Sequence, residues 1–290
     1  MPWPPAIGKS WRGLSWTAKY CEGVDGLSSK TLLVVDEGGF GDNLHSLCFI
    51  RPLAALAGRV IIMAKPKLVS LVEHNFGDVV DVVASNAAES QLRARFDEYV
   101  WSGSVPVFFD GIPPFEPIFA PRPLPRSTFA AERLQIGLCW AATDYPERRL
   151  RSRRSLSDLA LLEATFRIPG IQWHSLQAGP GATDAESYPV IRPPTISLES
   201  FSDTANLIAG LDAVVTIDTS LAHLAGRMGV MTFLLLPLPA DDRWELANTT
   251  AWYPSMRLVR QRQPGDWASA IELLANQLQA LTVGCRALEP

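Results

Sequence analysis

The chain has 290 residues, 47% apolar and 19% charged, which is enough apolar material for a buried core and excludes a disordered chain. A formal net charge of −4 excludes the broad basic field of a general nucleic-acid binder. The length accommodates two α/β domains of ordinary size.

The cysteines (Cys21, Cys48, Cys139 and Cys285) form no CxxC pair and no metal-ligand spacing. They predict reduced, mostly buried thiols in a cytoplasmic protein. Met1 to Tyr20 contains Trp and Pro but no continuous apolar run of the kind a signal peptide carries. The most apolar stretch, Met228 to Pro239, falls short of the about 20 residues that span a bilayer.

In chain order, residues 1–29 show no period, and Leu32 to Val35 then form an apolar run suited to a buried parallel strand. It ends in the loop Asp36-Glu37-Gly38-Gly39-Phe40-Gly41-Asp42. Leu44, Leu47 and Cys48 recur at helical spacing, Pro52 breaks or kinks that helix, and Leu53 to Leu56 continue it. Val60 to Met63 is the next strand, Lys67 to His74 a helix, and Val79 to Val83 a strand. Six prolines between Ile112 and Arg126 can continue neither helix nor sheet interior, and predict the connection between two domains, 1–125 and 126–290.

The alternation then restarts. Ile136 to Trp140 is a strand, Asp158 to Phe166 a helix, and Ile171 to Leu176 a strand. Ser202 is expected to cap a helix through Ile208, Ala213 to Ile217 is a strand, and Leu221 to Met228 a helix. Met231 to Leu236 is the last expected strand, and Trp267 to Leu281 an amphipathic closing helix. Two α/β halves with doubly wound parallel sheets follow, with a ligand cleft expected between them and the carboxyl ends of the strands facing the ligand.

Three loops carry candidate chemistry. The first is Val214-Val215-Thr216-Ile217-Asp218-Thr219-Ser220-Leu221-Ala222-His223, where a β-branched strand runs directly into a helix start. First-turn N–H groups lack partners inside the helix, and the dipole favours an anion there. Thr219 and Ser220 would add hydroxyl donors, and His223 lies on the face of Thr219. The competing account is that Asp218 or Thr219 only caps the helix while His223 packs on the sheet.

The second loop is Glu37 to Asp42. Leu44 stands where a dinucleotide fingerprint needs its third Gly, and Lys65 follows the next strand where an acidic residue belongs, so a nicotinamide cofactor is disfavoured. Asp42 is either a helix cap or a carboxylate able to take a proton from a hydroxyl. The third is the cluster Arg148, Arg149, Arg151, Arg153 and Arg154, of which one or two could neutralise a diphosphate and the rest form a solvated face. Without an Asp-x-Asp triplet or a His/Glu cluster at ligand spacing, a metal-independent site is expected, with helix dipole and Arg stabilising the leaving diphosphate.

An ordered series of segments gives the chain its resemblance to a known family. It runs Gly137-Leu138-Cys139-Trp140, Arg153-Arg154-Ser155-Leu156, Ser175-Leu176-Gln177, Phe201-Ser202-Asp203-Thr204-Ala205 and Thr216 to Gly226. It closes with Asp242-Arg243-Trp244, Trp252 to Leu258, Arg260-Gln261 and Gly265-Asp266-Trp267. Lys30 to Leu33, Glu37, Gly39-Phe40-Gly41-Asp42 and Arg51-Pro52-Leu53 extend it to nearly the whole chain. The chain resembles the bacterial glycosyltransferase domain that often follows tetratricopeptide repeats, a relative of the heptosyltransferases.

That resemblance implies a GT-B fold, with the acceptor on the N-terminal domain and a nucleotide sugar on the C-terminal one. It implies an inverting transfer from a nucleotide-diphosphate sugar, and no cofactor beyond that substrate. Asp42 is implied as catalytic base, with Gly39 and Gly41 in the acceptor-side loop. Trp140, Arg154, Gln177, Asp218, Thr219, Ser220, Leu221 and His223 are implied as donor-binding. The acceptor could be a glycan, a lipid-linked sugar or a protein, and the location cytoplasmic or peripheral at the inner membrane. The chain departs from the family pattern at Gly38, where Gln is usual, and at Ala142-Thr143, where Gly-Asn is usual. A sugar-nucleotide-binding protein without catalysis is the alternative.

Overall fold

The computed structural model describes residues 19–86, 96–129, 132–142, 153–156, 158–179 and 181–286, with side chains to Val283. The chain divides into two compact units, Met1–Pro114 and Phe115–Pro290. The strands in order are β1 (Lys19–Tyr20), β2 (Thr31–Val35), β3 (Arg59–Ala64), β4 (Asp81–Ala84), β5 (Glu98–Trp101), β6 (Leu134–Cys139), β7 (Ile171–Ser175), β8 (Ile191–Arg192), β9 (Ala213–Ile217), β10 (Thr232–Leu236) and β11 (Met256–Arg260). The α-helices are α1 (Phe40–Ser46), α2 (Ile50–Leu56), α3 (Val69–Phe76), α4 (Glu163–Phe166), α5 (Phe201–Ile208), α6 (Ser220–Arg227) and α7 (Trp267–Arg286).

The first unit is a five-stranded sheet in the order β1-β5-β2-β3-β4, every pair parallel. Leu33, Val35, Ile61 and Met63 form its core on one face, as continuous apolar runs buried on both sides require. β1 and β5 are additions to the sequence-based expectation, and β5 is central, pairing Leu33 with Tyr99 on the flank of β2 away from β3. The helix after β2 breaks before Pro52: a 3-10 turn at Leu47–Phe49 separates α1 from α2.

The second unit is a six-stranded sheet, β11-β10-β9-β6-β7-β8, again wholly parallel. β10 is not the last strand: β11 continues the sheet, with Leu234 opposite Leu258. The apolar run Thr232–Leu236 is a strand buried along its length. Among the described residues no helix is long and apolar enough to cross a membrane. α7 presents Trp267, Ala270, Ile271, Leu274 and Leu278 to the sheet at spacings of three and four, one helix face.

One cap differs from the sequence-based expectation. Ser200, not Ser202, starts α5: its hydroxyl accepts the Asp203 N–H at 3.2 Å while the Asp203 carboxylate accepts the Ser200 N–H at 2.9 Å. Ser202 is a buried residue inside the first turn. The proline-rich segment runs along the second unit. The Ile118 N–H donates to the Arg227 carbonyl, and the Leu124 N–H to that of Asn206, each at 2.9 Å.

The second sheet reverses its strand order once, where β6 and β9 are neighbours with the following strands leading away on either side; in the first, β2 and β5 are neighbours, with β3 and β4 beyond β2 and the earlier β1 beyond β5. Chains leaving such a pair diverge and open a crevice at its carboxyl end. The ends concerned are Cys139-Trp140 with Ile217-Asp218, and Val35-Asp36 with Trp101-Ser102.

Candidate functional site

At the reversal in the second unit, β9 is buried throughout and delivers Asp218 and Thr219 to the start of α6. Thr219 has extended backbone and is the N-cap, its Oγ1 accepting the Leu221 N–H at 3.3 Å. Ser220 is then the first helical residue and is half-buried. Leu221 turns its side chain inward, and its amide is taken by the cap, so it adds no donor through either group.

Asp218 is 4% exposed, and its Oδ2 lies 3.2 Å from Nη1 of Arg154. Burial pushes its carboxyl above the ordinary value, against the opposing pull of Arg154. The charges of Arg243 and Asp241 are also felt there. Arg243 Nε sits 2.8 Å from Asp241 Oδ1. Burial works against ionisation of Asp241, yet the hydrogen bonds from Arg243 hold its carboxyl below the usual range. The Arg154 guanidinium thus stands beside the residue that leads into the helix start. Of the expected arginine cluster, Arg148, Arg149 and Arg151 lie outside the described residues.

Removing Arg154 leaves the buried Asp218 carboxylate without its partner. In Arg154→Ala the Asp218 pKa rises further above its unfolded value. The folded chain then binds a proton that the unfolded one does not, so stability falls as pH rises through that window. The loss in melting temperature relative to wild type should therefore be larger at pH 7 than below about pH 4. An equal loss at both would show that the pair carries no such coupling.

His223 is 2% exposed. Its ring stacks on Trp244 at 5.2 Å and 23°, and its Nδ1 lies 2.8 Å from the Tyr253 hydroxyl. Trp140 is a core residue whose indole N–H donates to Asp184 Oδ2 at 3.3 Å. Gln177 is buried and clamps the loop after β6. Its Oε1 accepts the amides of Trp140 and Ala141 at 3.1 and 3.0 Å, and its Nε2 donates to the Ala141 carbonyl at 3.0 Å. The side-chain N–H groups of Trp140 and Gln177 are therefore engaged by Asp184 and by the Ala141 and Ala178 carbonyls. The Cys139 thiol, buried at the end of β6, is pushed up to about 11 by desolvation and stays protonated.

After β2 in the first unit, Gly39 is the N-cap of α1 and its N–H donates to Asp42 Oδ2 at 2.7 Å. Asp42 is thus the third helical residue, folded back over the cap, and Gly41 stands in the same first turn. Gly38 has φ +75°, and a Cβ there would lie 2.6 Å from Asp42 Oδ2. The departure at Gly38 is what leaves room for this carboxylate. Asn43 ties the loop by donating to the carbonyls of Glu37 and Gly39 at 3.0 and 2.9 Å. Burial raises the Glu37 carboxyl, the Gly103 amide opposes this, and nearby Asp42 and Asp36 add to the rise. Asp36 pairs with Lys65 at 2.7 Å.

Sequence reasoning assigned no role to Glu37, Arg243, Trp244 or Tyr253, although all four fall among the residues that carry the family resemblance. The signal for the last three is chemical: one Arg and three large aromatics stand in the excursion between β10 and β11, of which Trp244 and Tyr253 are fully buried.

The chain superposes on the ADP-heptose LPS heptosyltransferase II of E. coli with a TM-score of 0.60, covering 88% of this chain and 99% of that one at 15% identity. The fold is that of the heptosyltransferases. A glycosyl transferase family 9 structure from Veillonella parvula matches equally, with a TM-score of 0.60 over 89% of this chain and 98% of that one at 12% identity. Two parallel-sheet α/β domains of the GT-B class are thus the architecture: the strand–helix alternation predicted the two parallel sheets, and the family resemblance implied the GT-B class. No family model matches the chain. In sequence it is 27% identical over 154 residues to Protein FlbA of Caulobacter vibrioides, half of this chain but only a quarter of that protein's length.

Proposed function

We propose that this chain is a glycosyltransferase that moves a sugar from a nucleoside-diphosphate sugar to an acceptor hydroxyl with inversion. The observation that carries it is the start of α6 at the strand-order reversal, with Arg154 paired to Asp218 just before it. A helix N-terminus at a switch point, with a guanidinium group beside it, suits a diphosphate. The heptosyltransferase fold supports the same reading, and the name of the E. coli structure favours an adenosine diphosphate donor. On the same reading the chain is a relative of the glycosyltransferase domains that follow tetratricopeptide repeats.

In the proposed chemistry Asp42 takes the proton of the acceptor hydroxyl, whose oxygen attacks the anomeric carbon as the bond to the diphosphate breaks. The leaving charge is met by the α6 dipole and Arg154, without a metal. A charge-assisted contact is worth roughly 1.5–3 kcal/mol, so Arg154→Ala should weaken adenosine diphosphate binding about tenfold or more in calorimetry. Both binding and donor hydrolysis should survive EDTA; loss on chelation with recovery on Mg²⁺ or Mn²⁺ would overturn the metal-free mechanism.

The test of the reading as a whole is thermal stabilisation by adenosine, guanosine and uridine diphosphates, since a ligand that binds only the folded chain raises its melting temperature. No shift with any of them would count against it. A second reading, a sugar-nucleotide-binding protein without catalysis, has one observation in its favour: the Asp42 carboxylate accepts the Gly39 N–H at 2.7 Å. It predicts the thermal shift without any donor turnover.

A further inference from the structure

Three residues of α6 converge on one tyrosine. His223, Gly226 and Arg227 stand at positions i, i+3 and i+4, a single helix face. The His223 ring nitrogen Nδ1 is 2.8 Å from the Tyr253 hydroxyl. A Cβ on Gly226 would come within 2.6 Å of Tyr253 Cγ, so the missing side chain is what admits the ring. The Arg227 guanidinium lies 5.2 Å from the centroid of Tyr253 and 5.2 Å from that of Phe115, and donates to the Trp252 carbonyl at 3.1 Å. Both Tyr253 and Trp244 are fully buried.

A glycine inside a helix is unfavourable relative to alanine, and a buried arginine must be stabilised by its surroundings. The shared object of both features is the placement of one phenol. A cation over the π face draws electron density from the ring and strengthens the O–H as a donor. A neutral imidazole carries its hydrogen on one nitrogen and accepts at the other. We infer that Tyr253, seated by Gly226 and Arg227, donates to His223 Nδ1 and thereby holds the histidine as the Nε2–H tautomer, a positioning role for the donor site at the start of α6. Trp244 sets the plane of the imidazole and Tyr253 sets which edge carries the hydrogen.

The consequence is directional. Side chains on a helix lean toward its N-terminus, so His223 leans toward Thr219, four residues earlier. Whatever Nε2 meets there, it meets as a donor. On the glycosyltransferase reading, on which this consequence rests, that partner is an oxygen of the diphosphate, and a histidine with the opposite tautomer would confront it with a lone pair. The tautomer itself does not depend on that reading.

The experiment uses the full chain labelled with ¹⁵N-histidine, without ligand, and long-range ¹H–¹⁵N correlation, with His223 assigned by the signals lost in His223→Gln. The expected spectrum shows His223 with Nε2 protonated and Nδ1 bare. Tyr253→Phe keeps the ring and removes only the donor, so the His223 signals should move toward the Nδ1–H form and adenosine diphosphate affinity should fall roughly fivefold. Gly226→Ala keeps the hydroxyl but displaces the ring, and should give the same spectral change. A wild-type His223 protonated on Nδ1, or a Tyr253→Phe spectrum unchanged at His223, overturns the inference. If the wild-type chain bound no nucleoside diphosphate at all, the glycosyltransferase reading would fail while the ligand-free spectrum still decided the tautomer.

Discussion

Ser220→Asp should lower affinity for adenosine diphosphate by two orders of magnitude or more, about 3 kcal/mol, while the variant melts no lower than wild type. Ser220 is the first residue of α6, directly after the Thr219 cap. A carboxylate at that position interacts favourably with the helix dipole, by roughly 0.3–1 kcal/mol, and leaves the cap hydrogen bond intact. Toward a bound diphosphate the same charge is repulsive. Two like charges about 4 Å apart near a protein surface repel by about 4 kcal/mol, ample for the expected loss. The new carboxylate would also compete for Arg154, now 3.2 Å from Asp218, and so weaken the remaining positive charge. Isothermal calorimetry together with a thermal melt separates the two effects. Normal binding by the variant, or a nucleotide found on the first unit, would remove the donor site from α6 and with it the main support for a glycosyltransferase.

The second large effect is expected at Asp42. Asp42→Asn should cut donor hydrolysis or transfer by roughly 10²- to 10⁴-fold, the usual contribution of a general base, with nucleotide affinity unchanged. Asparagine still offers an oxygen to the Gly39 N–H that Asp42 Oδ2 now accepts at 2.7 Å, so the start of α1 should survive the change. This is what makes the substitution diagnostic: a loss of turnover cannot then be ascribed to a lost cap. Hydrolysis at the wild-type rate in Asp42→Asn would exclude Asp42 as base. A wild-type chain that binds nucleotide yet never turns it over would favour the binding-protein reading instead.

Much of the second unit was legible because its decisive elements are local. Ala213 to Ile217 is an unbroken β-branched and apolar run, and the strand has those bounds. Asp-Thr-Ser after it could only open a helix or cap one, and it does both. The Ser200 cap was equally open to reading, since Asp203 stands three residues on, where a capping box requires it. β5 and β11 were not legible. β5 starts with Glu98, a poor strand residue until Lys30, far away in sequence, pairs with it at 2.6 Å. β11 contains two arginines, and Arg260 earns its place by donating to the Trp244 and Ala247 carbonyls of the preceding excursion. Likewise, Trp140 and Gln177 were read by resemblance as donor-binding, but their side chains are committed to Asp184 and to the backbone after β6. Commitments of that kind are tertiary, and neither period nor spacing carries them.

The course of the proline-rich segment also changes where this protein can be divided. Ile118 and Leu124 are hydrogen-bonded to residues at the end of α6 and on α5, and Phe115 closes one side of the buried Arg227 whose other side is Tyr253. The prolines therefore behave less as a tether than as an outer strap of the second unit. Domain exchange or truncation that respects the folded units has its seam between Pro114 and Phe115. A cut where the prolines end would open Arg227 to water and unseat the tyrosine behind it.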